Sequence, residues 1–306
     1  MDWDDLRVFL AVARAESLSG AGKQLALDPA TVGRRVARLE AGAGARLFLK
    51  SPLGYALTEE GARLVPHAEA AEAALMGAEE AIKGGAGAGL SGQIRLGAPD
   101  GCANYILPQV IRTICDENPG LEVQIVALPR VFNLSRREAD LAIGVSRPQA
   151  GRLTVQKLTD YRLHLAAHPD YLAKAPPLHT LADLPNHRVV GYIADMIFDK
   201  ELDYLTGLGA ASPAMASNSV SVQLNLLRAG AGVGVAHDFA LPFAPELVKV
   251  LPDALSLTRA FWLIRHEGDA HSARLARFAG GLAQGIRREV QRLEGRTFVP
   301  VPAQDA

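Results

Sequence analysis

Thr31, Arg34, Arg35 and Arg38 are the residues of this 306-residue chain whose types and spacing point most directly to a chemistry. On a helix turning about 100° per residue they share one strip, roughly 110° from an apolar strip of Val32, Val36 and Leu39. A guanidinium meets a phosphate or grips a base edge bidentately, and a threonine hydroxyl can bond to either. The strip therefore suits a helix lying in a DNA major groove. For an isolated helix the ordinary reading would be a solvated basic face, so the flanking elements decide.

Asp28 is a good N-cap, and Pro29 suits the first helical position, where a missing N–H costs nothing. Ala30 follows in the same first turn. Upstream, Leu18 to Ala26 reads as a short helix with Ser19 as its cap, and only Ala26-Leu27-Asp28 separates the two helices. That is the length of a helix-turn-helix turn. Downstream, Arg46–Lys50 and Tyr55–Leu57 read as short strands around Ser51-Pro52-Leu53-Gly54, a hairpin wing with Lys50 at its tip. Trp3 to Ala15 predicts a first helix with Leu6, Phe9, Leu10 and Ala13 on one face and acidic residues in its first turn. The whole chain has net charge −1, yet Gly33 to Lys50 holds five basic residues against Glu40, a local +4. Global neutrality with one basic patch suits a protein that grips DNA through a small module.

Thr58 predicts the cap of a long helix through about Lys83. Its positions Leu64, Ala68, Ala71, Leu75, Ala78 and Ile82 form a heptad seam, with Pro66 expected to kink it. Gly84 to Gly92 is a flexible hinge by composition. It neither follows a strand nor opens a helix, so it is no phosphate loop. Beyond it, strands at Gln93–Ala98, Leu121–Leu128, Asp140–Val145, Arg162–His168, Arg188–Tyr192, Ala214–Ser217, Val233–His237 and Ala260–Arg265 alternate with helices. The helices are placed at Ala103–Glu117, Asp199–Thr206, Ser219–Ala229 and Ala270–Leu293, before a poorly ordered tail from Gly295. Such alternation means mostly parallel α/β sheets.

The order Leu6-Arg7-Val8-Phe9, Leu18-Ser19, Ala26 to Val32, Arg38-Leu39-Glu40, Arg46-Leu47-Phe48 and Gly54 to Thr58 closely resembles the winged helix-turn-helix of LysR-type transcriptional regulators. The likeness is strong over about the first 85 residues and looser beyond. It implies an α+β multidomain protein: a mainly α winged helix-turn-helix over 1–58, a linker and dimerisation helix with hinge over 59–92, and a two-lobed α/β periplasmic-binding-protein-like effector domain over 93–306. Lobe one would span about 93–161 and 268–293 and lobe two about 162–267, with the chain crossing near Tyr161 and returning near Glu267. Expected partners are double-stranded promoter DNA, a small-molecule effector, RNA polymerase and further copies of the chain as homodimer or homotetramer. The DNA-binding residues would be Ser19, Pro29, Ala30, Thr31, Arg34, Arg35, Arg38, Lys50 and Ser51.

Ligands of open α/β sheets bind beyond the carboxyl ends of strands, often at helix N-termini. Three segments qualify: Pro99-Asp100-Gly101-Cys102, Val145-Ser146 with Arg147, and Asn218-Ser219 before a helix. Arg130, Phe132, Tyr192 and His237 are candidate walls. Asp100 stands where the family often has Ser or Thr, and it disfavours a carboxylate effector unless Arg130 or Arg147 compensates. Other constellations are weak. His164 and His168 on a strand lie about 13 Å apart, too far to share a metal, and His266 with His271 lacks a third ligand. Gly230-Ala231-Gly232-Val233-Gly234 runs from helix to strand, the wrong order for a dinucleotide site. Cys102 at a helix start could be an activated thiol. No nucleophile, base and orienter share a recognisable spacing, so no enzyme, cofactor or metal is expected. Two cysteines suit a reducing cytosol, the acidic start is no leader, and no apolar run reaches the ~20 residues of a membrane span. The rivals are a ligand-binding or catalytic α/β protein with vestigial DNA binding, and a DNA-binding regulator without effector.

Overall fold

The computed structural model describes residues 1–51, 54–83, 89–127, 138–149, 151–205, 212–269 and 272–295. These form two compact units, one built on the N-terminal helices with residues around Glu267, the other on a long sheet and its helices.

In the first unit, α1 (Trp3–Ala15), α2 (Leu18–Leu25) and α3 (Pro29–Ala43) precede a hairpin of β1 (Phe48–Ser51) and β2 (Gly54–Leu57) and the long α4 (Glu59–Lys83). Phe9, Leu10, Val12, Ala21, Val32, Val36, Leu39 and Phe48 form its core, so the apolar strip read from α3 is the buried one. Asp28 caps α3 as expected, accepting from the Ala30 N–H at 2.6 Å. The cap of α2 is Ser17 rather than Ser19: Ser17 Oγ accepts from the Gly20 N–H at 3.0 Å, and Ser19 is exposed in the first turn. Between α2 and α3 the chain closes through Leu27 N–H to the Gly22 carbonyl at 2.9 Å. A Cβ on Gly22 would stand 2.6 Å from the Leu27 carbonyl oxygen, so that turn requires glycine.

Thr58 Oγ1 accepts from the Gly61 N–H at 3.0 Å and caps α4, which runs unbroken through Pro66. The predicted seam divides. Leu64, Ala68 and Ala71 pack on the unit's own core, while Leu75 is 43% exposed and Ala78 is exposed. The side chain of Ile82 and residues 84–88 of the hinge lie outside the described set, and its last two residues, Ser91 and Gly92, already belong to the next strand.

The second unit carries a nine-stranded sheet in the order β4-β3-β5-β11-β6-β9-β7-β8, with β10 paired to β6. The strands are β3 (Ser91–Ala98), β4 (Gly120–Ala127), β5 (Leu141–Gly144), β6 (Leu153–Ala167), β7 (Val189–Gly191), β8 (Met215–Ala216), β9 (Val233–His237), β10 (Val248–Val250) and β11 (Leu257–His266). Pairs β3–β4, β3–β5, β7–β8 and β7–β9 are parallel. The connecting strands are antiparallel: β6 to β9 and β10, β11 to β5. β3, β4 and β5 lie at one end of this sheet and β7 to β10 toward the other, and the two ends are called lobe one and lobe two. β6 begins to pair with β9 at Leu163, just past Tyr161, whereas β11 is already paired with β5 at Trp262, five residues before Glu267.

Two helix expectations are corrected, and one short helix is added. The stretch Ala103–Glu117 is two helices, α5 (Asp100–Tyr105) and α6 (Leu107–Glu117), broken at Ile106 where Pro108 removes a donor. Asp199–Thr206 contains only a 3₁₀ turn at Lys200–Leu202, and Thr206 lies outside the described residues. A short α7 (Pro169–Leu172) follows β6. The helix α8 (Val220–Arg228) begins after Ser219 as predicted, and α9 spans Ala273–Glu294.

Candidate nucleic-acid interface and effector cleft

On α3, Pro29, Ala30 and Arg34 are exposed and Thr31 is half-buried. Arg34 Nη2 donates to Thr31 Oγ1 at 3.0 Å, so the hydroxyl and the guanidinium act as one polar group on the outer face. The other two arginines face back toward α1. Arg35 lies 3.2 Å from Asp4, and Arg38 binds Asp5 through two bonds, one of them 2.6 Å from Nε to Oδ2. Asp5 is only 3% exposed, and its bonded guanidinium holds its carboxyl below the ordinary range. The acidic first turn of α1, read as a helix-dipole feature, thus also fixes the attitude of α3. In the wing, β1 and β2 pair from Phe48↔Leu57 to Ser51↔Gly54, with Lys50 and Ser51 exposed. Glu40 orients this hairpin, accepting from the Leu47 N–H at 2.7 Å and the Phe48 N–H at 3.2 Å. The Tyr55 N–H donates to the Glu16 carbonyl at 2.9 Å.

In the second unit, most of the expected cleft residues converge. Pro99, Asp100, Gly101, Cys102, Val145, Tyr192, Asn218 and His237 line one space between the lobes. Arg130 and Phe132 lie outside the described residues, as does His271. The remaining space is about 20 Å³, room for about one water. Two ties close it. Asp100 Oδ2 accepts from Ser219 Oγ at 3.0 Å, the Ser221 N–H at 2.9 Å and Ser221 Oγ at 3.1 Å, all at the start of α8. In the opposite sense, Ser146 Oγ of lobe one donates to Asp199 Oδ2 of lobe two. Tyr105 adds a ring contact with Phe243 at 5.3 Å.

The walls are more aromatic than the sequence suggested. Tyr161 stacks on Phe261 at 4.2 Å, and His237 lies 5.6 Å from Tyr161 and 5.0 Å from Phe239. Tyr161 and Phe261 sit on strands, where side chains alternate and one aromatic residue carries no periodic signal, and Phe239 lies in the turn that follows β9. His237 is 5% exposed, with Nε2 3.4 Å from the Tyr204 hydroxyl and Nδ1 without a partner. Burial lowers it to about 4, so it is neutral near pH 7, against an opposing pull from Asp238 and Asp100. Cys102 is buried, and burial pushes its thiol up, away from the thiolate that an activated cysteine needs. A second cavity of about 540 Å³ opens in lobe two, sharing Tyr192, Phe198 and Leu202 with the cleft and adding Lys200, Tyr204 and Gln223. Its size is that of a small-molecule site. His164 instead serves a local network, 2.7 Å from Asp238 and 3.2 Å from Lys249. Among the described residues no three His, Cys, Asp or Glu side chains are placed to hold a metal ion.

A winged helix-turn-helix joined to a two-lobed α/β ligand-binding domain defines a class of DNA-binding regulator. Residues 3–62 match the model of the bacterial regulatory helix-turn-helix protein, lysR family, and residues 87–287 match that of the LysR substrate binding domain. The chain belongs to the LysR family of transcriptional regulators, DNA-binding proteins with an effector-binding domain. It is 26% identical over 260 residues to the HTH-type transcriptional regulator PtxR of Pseudomonas aeruginosa, covering 82% of each chain. It is 25% identical over 258 residues to CrgA of Neisseria meningitidis, covering 81% of this chain and 84% of CrgA. Among solved structures, a full-length OxyR variant from Pseudomonas aeruginosa gives a TM-score of 0.67 at 19% identity, covering 94% of this chain and 98% of that one. Full-length LysG from Corynebacterium glutamicum with bound effector Arg gives 0.63 at 18% identity, covering 94% and 99%. At that identity the likeness is one of fold alone.

Proposed function

We propose that this regulator binds an interrupted palindrome in promoter DNA as a homodimer or homotetramer, with α3 of each protomer in a major groove. Exposed Arg34 with Thr31 on α3, opposite its buried Val32, Val36 and Leu39, is the observation that carries this reading. Pro29, Ala30 and Thr31 approach base edges, Arg34 a base edge or phosphate, and Lys50 and Ser51 of the wing the backbone, with Ser19 beside them. Arg35 exchanges its exposed Asp4 partner for a phosphate. Arg38 stays with Asp5 and positions the helix. The exposed half of the α4 seam, with Leu75 and Ala78, supports pairing of protomers. A small-molecule effector bound between the lobes, with the adjoining cavity beside Tyr192 as further room for it, changes the angle between them and thereby promoter occupancy or contact with RNA polymerase. The protein works in the cytoplasm and catalyses no reaction, in keeping with relatives named as regulators; among its described residues no helix is long and apolar enough to cross a membrane.

Footprinting on the intergenic DNA upstream of its own gene, with wild type and Arg34→Ala/Arg35→Ala, tests the interface. Wild type protects a roughly palindromic site with steep salt dependence, and the double variant binds about 100-fold more weakly or worse. Equal protection by the double variant would reassign the recognition helix.

A further inference from the structure

The start of α8 is built to hold an anion. The Ser221 N–H, the hydroxyls of Ser219 and Ser221 and the positive end of the helix dipole converge on one point, while Ser219 Oγ also caps the Val222 N–H. That point is occupied by Asp100 Oδ2, brought from the other lobe by α5. Asp100 Oδ1 accepts from Asn104 Nδ2 at 3.1 Å, which orients the carboxylate from its own helix. Beside it stands a second feature of a ligand seat: His237, 5% exposed, lines the same space with Nδ1 unpartnered. A buried polar atom without a partner is uncommon in a core that serves packing alone. The space left over, about 20 Å³, is too small for any carboxylic acid while Asp100 is in place.

We propose that Asp100 is a built-in stand-in for a carboxylate ligand. It fills the anion seat of α8, ties the two lobes together without an effector, and excludes small carboxylates from that seat in this regulator. The Ser146–Asp199 tie works alongside it, one carboxylate from each lobe receiving hydroxyl donors from the other. Asp100 is thus a specificity-determining residue: the seat accepts an external anion only when the internal one is removed. The inference rests on reading the interlobe cleft as the effector's seat. Its test uses no DNA, so its failure and a failure of the footprint are separate results.

The test is thermal unfolding of the full-length wild type, Asp100→Ala and Asp100→Asn in sodium formate or acetate against sodium chloride of equal ionic strength. Wild type melts at the same temperature in all three salts. Asp100→Ala melts several degrees lower in chloride and regains at least half of that loss, saturably, in formate and acetate. Asp100→Asn, whose amide still fills the seat, shows no anion-specific gain. An unchanged melting temperature for Asp100→Ala in chloride, no recovery specific to the carboxylates, or the same saturable gain in wild type would each overturn the proposal. Should Asp100→Ala fail to fold, Asp100→Ser, which empties most of the seat and keeps one hydroxyl, carries the same comparison with the same decisive outcomes.

Discussion

The starts of α3 and α8 meet the same physical requirement in opposite ways. Each leaves backbone N–H groups without helical partners, and each finds an aspartate carboxylate. At α3 the carboxylate is local: Asp28 bonds to Ala30, two residues away, so the helix start is complete within its own chain segment. The flank of α3 is then free to present Arg34 and Thr31 outward. At α8 the carboxylate comes from Asp100, more than a hundred residues earlier and in the other lobe. A locally completed start frees a helix to face a partner. A start completed from a distance turns the helix into a fastening.

Three perturbations sharpen or break this contrast. The largest expected effect lies in the cleft, at His237. Its folded value of about 4 against an ordinary 6.5 means that between those pH values the unfolded chain binds a proton the folded chain refuses. Stability therefore rises with pH across that window and is lost as pH falls from 6.5 toward 4. A gap of about 2.5 pH units at 1.36 kcal/mol each amounts to about 3 kcal/mol. Urea unfolding from pH 7 to pH 4 should show this loss in wild type and a flatter curve in His237→Gln; parallel curves would place the acid sensitivity elsewhere. Next is the wing. Gly54 has φ 128°, and a Cβ there would stand 2.4 Å from the Glu16 carbonyl oxygen. Gly54→Ala should cost about 2 kcal/mol and weaken DNA binding, while leaving the anion response of Asp100→Ala untouched. A fully stable, fully binding Gly54→Ala would show that the wing needs no fixed docking. The smallest effect is at Asp28. Asp28→Ala should cost about 1 kcal/mol, as loss of a local cap does, and keep the footprint. A formate response there like that of Asp100→Ala would erase the distinction between the two helix starts.

The N-terminal unit was the more legible because its signals are local. Asp28-Pro29, the three-residue turn and Thr58 are caps and turns whose partners lie within a few residues, and the structure places them where the sequence does. Ser17 was passed over for Ser19 because both stand at the same helix start and only the backbone decides which hydroxyl points inward. In the cleft, Asp100 and Asn218 were readable at strand ends and Tyr192 and His237 as candidate walls, and the four line one space. What joins them was not, since the bonds of Asp100 to Ser219 and Ser221 span about 120 residues and leave no spacing to read. Arg38 shows the same limit: its place on a basic strip was legible, its commitment to buried Asp5 was not.

The long strands β6 and β11 neighbour each other in the sheet, and each reaches from one lobe into the other. The lobes are thus joined by paired, hydrogen-bonded backbone in addition to any loop. A change of angle between them must be absorbed as extra twist along these two strands, in the manner of a torsion spring. Such a spring stores work and returns it, so the angle responds continuously and recoils when the load is removed. The fastening at Asp100 sets its resting position, and an effector can wind it only as far as its preference for one angle over the other supplies the torque.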